Sequence, residues 1–132
     1  MAAKSFSFSV LVESNSLIGI TERIEKLVQK SGVENGICNV FSAGSTGAII
    51  INENEGNLID DLKKLMKDLV PEGEWHHPEN AHSHLRAMLA KSEATVPVAD
   101  GNLQLGTWQS IFICNFDTRR RERKIMVTVV GE

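Results

Sequence analysis

The chain has little of what would advertise a purpose. It holds two cysteines in 132 residues, too few for a disulfide framework. Cys38 and Cys114 lie in apolar strand-like runs with no CxxC partner, so we expect two buried, reduced thiols in a cytoplasmic protein. No window is long and apolar enough to cross a bilayer. The start, Met1-Ala2-Ala3-Lys4-Ser5, lacks the apolar core of a signal peptide. Basic residues are not in excess: 14 Lys and Arg stand against 17 Asp and Glu, a net charge of -3. An overall positive field of the kind that gathers nucleic acid is therefore excluded. We expect neither nucleic acid nor membrane as a partner. Internal repeats, low-complexity segments and linkers are also missing. What remains is an ordinary composition, 42% hydrophobic and 23% charged. At this length residues 1–132 should form a single domain around one core.

What is present is concentrated. All four histidines fall within Trp75-His76-His77-Pro78-Glu79-Asn80-Ala81-His82-Ser83-His84. Imidazole is the commonest protein metal ligand and the usual acid or base near neutral pH, so a cluster beside a carboxylate and an amide points to chemistry.

The local patterns alternate between strand and helix. Ser5 to Val12 reads as a strand with Phe6, Phe8, Val10 and Val12 on one side. Thr21 to Ser31 reads as a helix, stopped by Gly32. Gly36–Phe41 and Gly47–Asn52 are apolar enough to be strands covered on both faces. A second helix should start at Asn57 as its cap, bury a stripe from Leu58 to Leu69 and end at Pro71. Asn80 to Ala90 reads as a shorter helix with Ala81, Leu85, Met88 and Leu89 inward. Ala94–Val98 leads into Asp100-Gly101, a hairpin signal. Thr107–Phe116 reads as a long strand and Lys124–Val130 as the last. On the long strand Trp108, Phe112 and Phe116 share one face, Ile111 and Ile113 the other. Two apolar faces call for helices on one side and a second sheet or another subunit on the other.

His82 and His84 stand roughly 160° apart around a helix, so a regular helix cannot aim both at one ion. His84 stacks beside Ala81 and Met88, and His77 precedes the helix and can fold back to it. We therefore expect His77 and His84 to form the core of a site. The plainer alternatives are a structural histidine bonded to a carbonyl, and Asn80 as a simple helix cap. Glu53 and Asp61 could complete a pocket; spacing alone fits a solvated loop and a surface charge at least as well. Gly44-Ser45-Thr46-Gly47 could present N–H groups and hydroxyls to a phosphate, although the Gly-Lys-Ser/Thr ending of a P-loop is missing. Arg119, Arg120, Arg121, Arg123 and Lys124 read as a basic turn, solvated or recruiting an anion.

Taken together, these residues resemble a known family. Ile51-Asn52-Glu53-Asn54, Asp61, the His77–His84 stretch with Asn80, Ser92 with Pro97-Val98, Gly106-Thr107-Trp108-Gln109 and Val130-Gly131-Glu132 resemble the YjbQ-like proteins, often labelled secondary thiamine-phosphate synthase. The likeness covers nearly the whole chain. It implies an α+β fold, a β-sandwich-like, mainly antiparallel sheet with about three helices, assembled as a homotrimer. It also implies that Glu53, Asp61, His77, Asn80, His84, Trp108 and Gln109 match the family's recurrent polar positions. The expected activity is transfer on a small phosphorylated molecule with pyrophosphate release. His77, His82 and His84 would then hold a divalent metal, zinc or magnesium, while Glu53, Asp61, Asn80 and Gln109 act on the substrate. The competing expectation is a non-catalytic metal- or anion-binding trimer; a plainer one is that the histidines only rigidify a subunit contact. One departure stands out. Many members carry histidine where this chain has Gly44, and His82 is the imidazole available to stand in.

Overall fold

A computed structural model describes all 132 residues. In chain order the elements are β1 (Ala2–Val12), β2 (Ser16–Gly19), α1 (Thr21–Ser31), β3 (Gly36–Ala43), β4 (Gly47–Asn52) and α2 (Gly56–Leu69). They continue with α3 (Ala81–Ala90), β5 (Glu93–Ala99), β6 (Asn102–Leu103), β7 (Ser110–Asn115) and β8 (Arg121–Gly131). The strands build two antiparallel sheets, one ordered β1-β8-β3-β5-β6 and one ordered β2-β7-β4. The fold is α+β, a sandwich-like pair of sheets with three helices, as expected.

The inner faces of the sheets meet in the main core. Val12, Val40, Val127 and Val129 come from the larger sheet, and Ile49, Ile111 and Ile113 from the smaller, with Ile24 and Val28 of α1 joining them. A second core lies on the opposite face of the smaller sheet. There Phe112, Cys114 and Phe116 pack with Ala48, Met66 of α2 and Ala87 of α3. The two apolar faces of β7 are thus covered by the second sheet and by helices of the same chain. No other subunit is needed to explain them.

Several boundaries moved for identifiable reasons. The α2 helix is capped by Glu55, whose carboxylate accepts from the Asn57 and Leu58 N–H groups, and not by Asn57. Within its expected stripe only Met66 is fully buried, and Leu65 and Leu69 are exposed. The long strand starts at Ser110: Gln109 turns back so that its side chain accepts from Gly106 N–H at 2.8 Å. Trp108 is left outside the sheet and is 73% exposed. The Asp100-Gly101 hairpin forms, both residues at positive φ as a type I′ turn requires. Its return strand β6 is only two residues long, too short to carry a sequence pattern.

The largest revisions concern α3 and β8. The α3 helix buries Ala81 as expected, together with His82, Ser83, Arg86 and Ala87, but leaves Leu85 half-buried and exposes Met88 and Leu89, which were expected inward. Small side chains let it approach the sheet closely, and Arg86 Nε donates to the Val70 carbonyl at 2.9 Å, tying α3 to the end of α2. The last strand begins at Arg121, so much of the supposed basic turn is strand. Alternation along β8 then turns Arg123 inward and leaves Glu122 and Lys124 exposed.

Candidate functional site

His77 lies on the connection between α2 and α3, and His84 on the second turn of α3. The connection bends at Glu79, at φ 68°, and brings His77 back over the helix. The two rings meet edge to face, centroids 4.9 Å apart and planes at 85°. Asn80 makes no capping bond to α3; its Oδ1 instead lies 3.1 Å from His77 Nε2. The expected pair is therefore assembled, and Asn80 belongs to it as the residue that holds His77.

The pair stands between two cavities. On one side is a polar cavity of about 410 Å³, with His77, Asn80 and His84 forming one wall. Gly44, Ser45 and Thr46 form a second wall, and Asp117 with β8 residues Arg121 to Arg123 form the third. On the other side is a more apolar pocket of about 330 Å³, where the same two imidazoles meet Trp75, His76, Ala81 and Leu85. The Gly44–Thr46 loop and the basic segment, separate hints in the sequence, thus face one space together with the histidines.

Behind the polar cavity runs a buried polar network. Arg123 Nη2 donates to Thr46 Oγ1 at 2.7 Å and to Asn115 Oδ1. Asn115 Nδ2 donates to the Val12, Glu13 and Arg119 carbonyls, so it locks three chain segments together. Asp117 Oδ2 accepts from Arg121 Nε at 2.8 Å and from Thr46 Oγ1, and its Oδ1 accepts from Thr118 N–H. Burial acts to raise the Asp117 carboxyl, but these hydrogen bonds and the Arg121 charge outweigh it and hold the group below the usual carboxylate value. Burial draws the Arg123 guanidinium down from its ordinary value, with the Asp117 charge opposing; it remains a cation. Asp117 and Asn115 were not among the sequence candidates, and Arg123 was one only as part of a basic turn, not as a buried residue. The one available signal was the alternation of β8, hidden because the run looked like a turn.

The other candidates lie elsewhere. His82 is buried on the inner side of α3, with Nε2 3.6 Å from Glu72 Oε1, and lines neither cavity. It does not supply the imidazole missing at Gly44. Glu53 follows the Asn52 end of β4, whereas Thr46 precedes the Gly47 end, and a strand of that length separates them by roughly 20 Å. Asp61 lines a different cavity with Asn52 and Lys64. Gln109 is occupied in the Gly106 turn. Nowhere does the chain gather three or more His, Cys, Asp or Glu side chains able to hold a metal ion. Two imidazoles and an amide fall short of a four-ligand zinc site, and magnesium prefers oxygen donors that Asp117 has already committed. The donor set of one copy does not fit a resident metal.

Comparison with known proteins follows the fold closely. Residues 7–132 match the model of the family described as UPF0047 protein YjbQ-like. A UPF0047 protein of Methanothermobacter thermautotrophicus is 46% identical over 88% of this chain and 83% of its own. A UPF0047 protein of Synechocystis is 32% identical over 93% and 88%. Among solved structures, a YbjQ-like protein of unknown function from Sulfolobus solfataricus superposes with a TM-score of 0.90 at 39% identity, covering 99% of this chain and 100% of that one. A hypothetical protein from Aeropyrum pernix gives a TM-score of 0.92 at 32% identity, covering 98% and 99%.

Proposed function

The chain belongs to the UPF0047 YjbQ-like family, and from that premise we propose that it is a small cytoplasmic enzyme acting on a phosphorylated small molecule at the His77–His84 pair. One observation carries this reading: the two imidazoles form the shared wall between a polar cavity and a partly apolar one. A ligand with an anionic end and a ring at the other matches that division. No helix is long and apolar enough to cross a membrane.

The reaction that suits it is a transfer of the thiamine-phosphate-synthase type. The ring nitrogen of a phosphorylated thiazole attacks the methylene carbon of a pyrimidine diphosphate. A C–N bond forms as the C–O bond breaks, and pyrophosphate leaves with the electron pair. His84 donates a hydrogen bond to the departing oxyanion, His77 stands edge-on beside it with its ring fixed by Asn80, and the pocket beside Trp75 and Leu85 takes the ring portion. We further propose a homotrimer. Phe41 and Met126, paired across β3 and β8, are exposed on the outer face of the larger sheet, with Ile37 exposed farther along the same face beyond Asn39, apolar contacts suited to a neighbouring copy. Glu53, Asp61 and Gln109 enter the chemistry only if such a copy supplies them. The test is pyrophosphate release from the two phosphorylated substrates by the purified protein, with and without divalent metals. Release that falls in His77→Ala and His84→Ala supports the reading; no release under any metal condition overturns it.

A second reading is a non-catalytic anion-binding trimer. It is favoured by Asp117, the buried carboxylate of the cavity, whose oxygens are taken up by Arg121, Thr46 and Thr118, leaving no buried carboxylate free to act as a base. That reading expects binding of phosphate esters without turnover.

A further inference from the structure

We infer that Arg123 is the oxyanion-binding residue of the polar cavity and that Gly44 is the position that keeps it open to a phosphate or diphosphate group. The inference rests on the reading above, that this cavity receives a phosphorylated ligand. Arg123 is 5% exposed and has no carboxylate within ion-pair distance. Its hydrogen-bond partners, Thr46 and Asn115, are neutral. A buried cation without a counter-charge is costly, and proteins ordinarily pair it. The nearby Asp117 attracts it through space but does not contact it, because its oxygens are turned to Arg121 and Thr46. Arg123 Nε is buried without a partner, and Nη1 makes no hydrogen bond although the residue lines the cavity. A contacting counter-charge is therefore one that a ligand can bring, and the unused Nη1 edge of the guanidinium suits a phosphate oxygen.

Gly44 controls access to that edge. A Cβ at position 44 would stand 2.9 Å from Arg123 Nη1, closer than real contacts allow. Arg123 cannot swing away easily, since Nη2 is anchored on both Thr46 and Asn115. Any side chain at 44 thus occupies the space where a ligand oxygen would approach Nη1. Glu122, exposed and at the rim, is the carboxylate there without a partner, so it opposes an incoming anion.

The experiment is calorimetric titration of the full-length protein with inorganic pyrophosphate at low salt, with folding checked by circular dichroism. Gly44→Ala should weaken binding by about tenfold or more, and Glu122→Gln should tighten it severalfold. Arg123→Lys should lose most of the affinity. If that variant does not fold, the other two still decide, because neither removes a buried partner. Binding that falls in His77→Ala and His84→Ala but is unmoved by Gly44→Ala and Glu122→Gln overturns the role of Arg123 and leaves the proposed function standing. A wild-type protein that binds neither pyrophosphate nor a phosphate monoester overturns both.

Discussion

Asn80 Oδ1 lies 3.1 Å from His77 Nε2, and this contact, rather than a helix cap, is what the Asn80 side chain does. An amide oxygen only accepts, so the contact places hydrogen on Nε2 and leaves Nδ1 of His77 as an acceptor. It also sets the ring perpendicular to His84, which turns both imidazoles toward the same cavities. Asn80→Ala should free the ring at little cost in stability, below about 1 kcal/mol, because the bond is exposed. Pyrophosphate affinity should nonetheless drop severalfold. Unchanged affinity together with a large loss of stability would make Asn80 a purely structural residue.

The smaller sheet is one layer thick between two cores, so its central strand β7 is the most sensitive element of the fold. Phe112 is fully buried against α2 and α3, and Ile113 against the larger sheet. Phe112→Ala should cost about 3–5 kcal/mol in urea unfolding, and Ile113→Val about 0.5–1.5 kcal/mol. Equal costs for the two would mean that the cores do not pack as separate layers.

The fold was legible where burial leaves a local period. The alternation of β1, the double apolar face of β7 and the Asp100-Gly101 hairpin were all readable. Face assignment failed on α3, because Leu85, Met88 and Leu89 looked like the buried stripe while Ala, Ser and Arg side chains make the contact. Nothing local reveals that a helix must approach a sheet closely. The site divides in the same way. His77, Asn80 and His84 lie within two turns of chain, so a bend and a helix suffice to join them. Gly44 and Arg123 sit far apart in sequence and meet only through the pairing of β3 with β8, which sets Ala43 opposite Lys124. Glu53 was misplaced for want of the strand's polarity: alternation gives the face of β4 but not which end carries the cavity.

The Val130-Gly131-Glu132 ending has a steric cause. Gly36 and Gly131 face each other across β3 and β8. A Cβ on Gly36 would lie 1.9 Å from the Val130 carbonyl oxygen, and one on Gly131 would lie 2.0 Å from that of Asn35. This close approach lets the Glu132 carbonyl accept from the Glu34 and Asn35 N–H groups and ties down the chain end. Gly36→Ala and Gly131→Ala should each cost about 3 kcal/mol or more, since backbone rather than a flexible side chain must move. Gly56→Ala, where a Cβ meets nothing within 4 Å, is the control and should be neutral or slightly stabilising.

The two thiols give a pH signature of their own. Burial pushes Cys38 up from 9.0 to about 11 and Cys114 up to about 12, and both are free. A thiol raised in the folded state holds its proton where the unfolded chain has already lost it. Its contribution is therefore complete below the ordinary value of 9.0 and is lost as pH rises from there toward about 11 for Cys38 and about 12 for Cys114. Unfolding free energy should decline over that window, and the decline should be shallower in the Cys38→Ala/Cys114→Ala double variant. Ellman's reagent should leave the native protein largely unlabelled at mildly alkaline pH and modify both thiols once it unfolds. Rapid labelling of the native chain would place at least one cysteine outside the core that the sheets and helices enclose. A common slope in the two proteins would mean that the thiols are not what titrates.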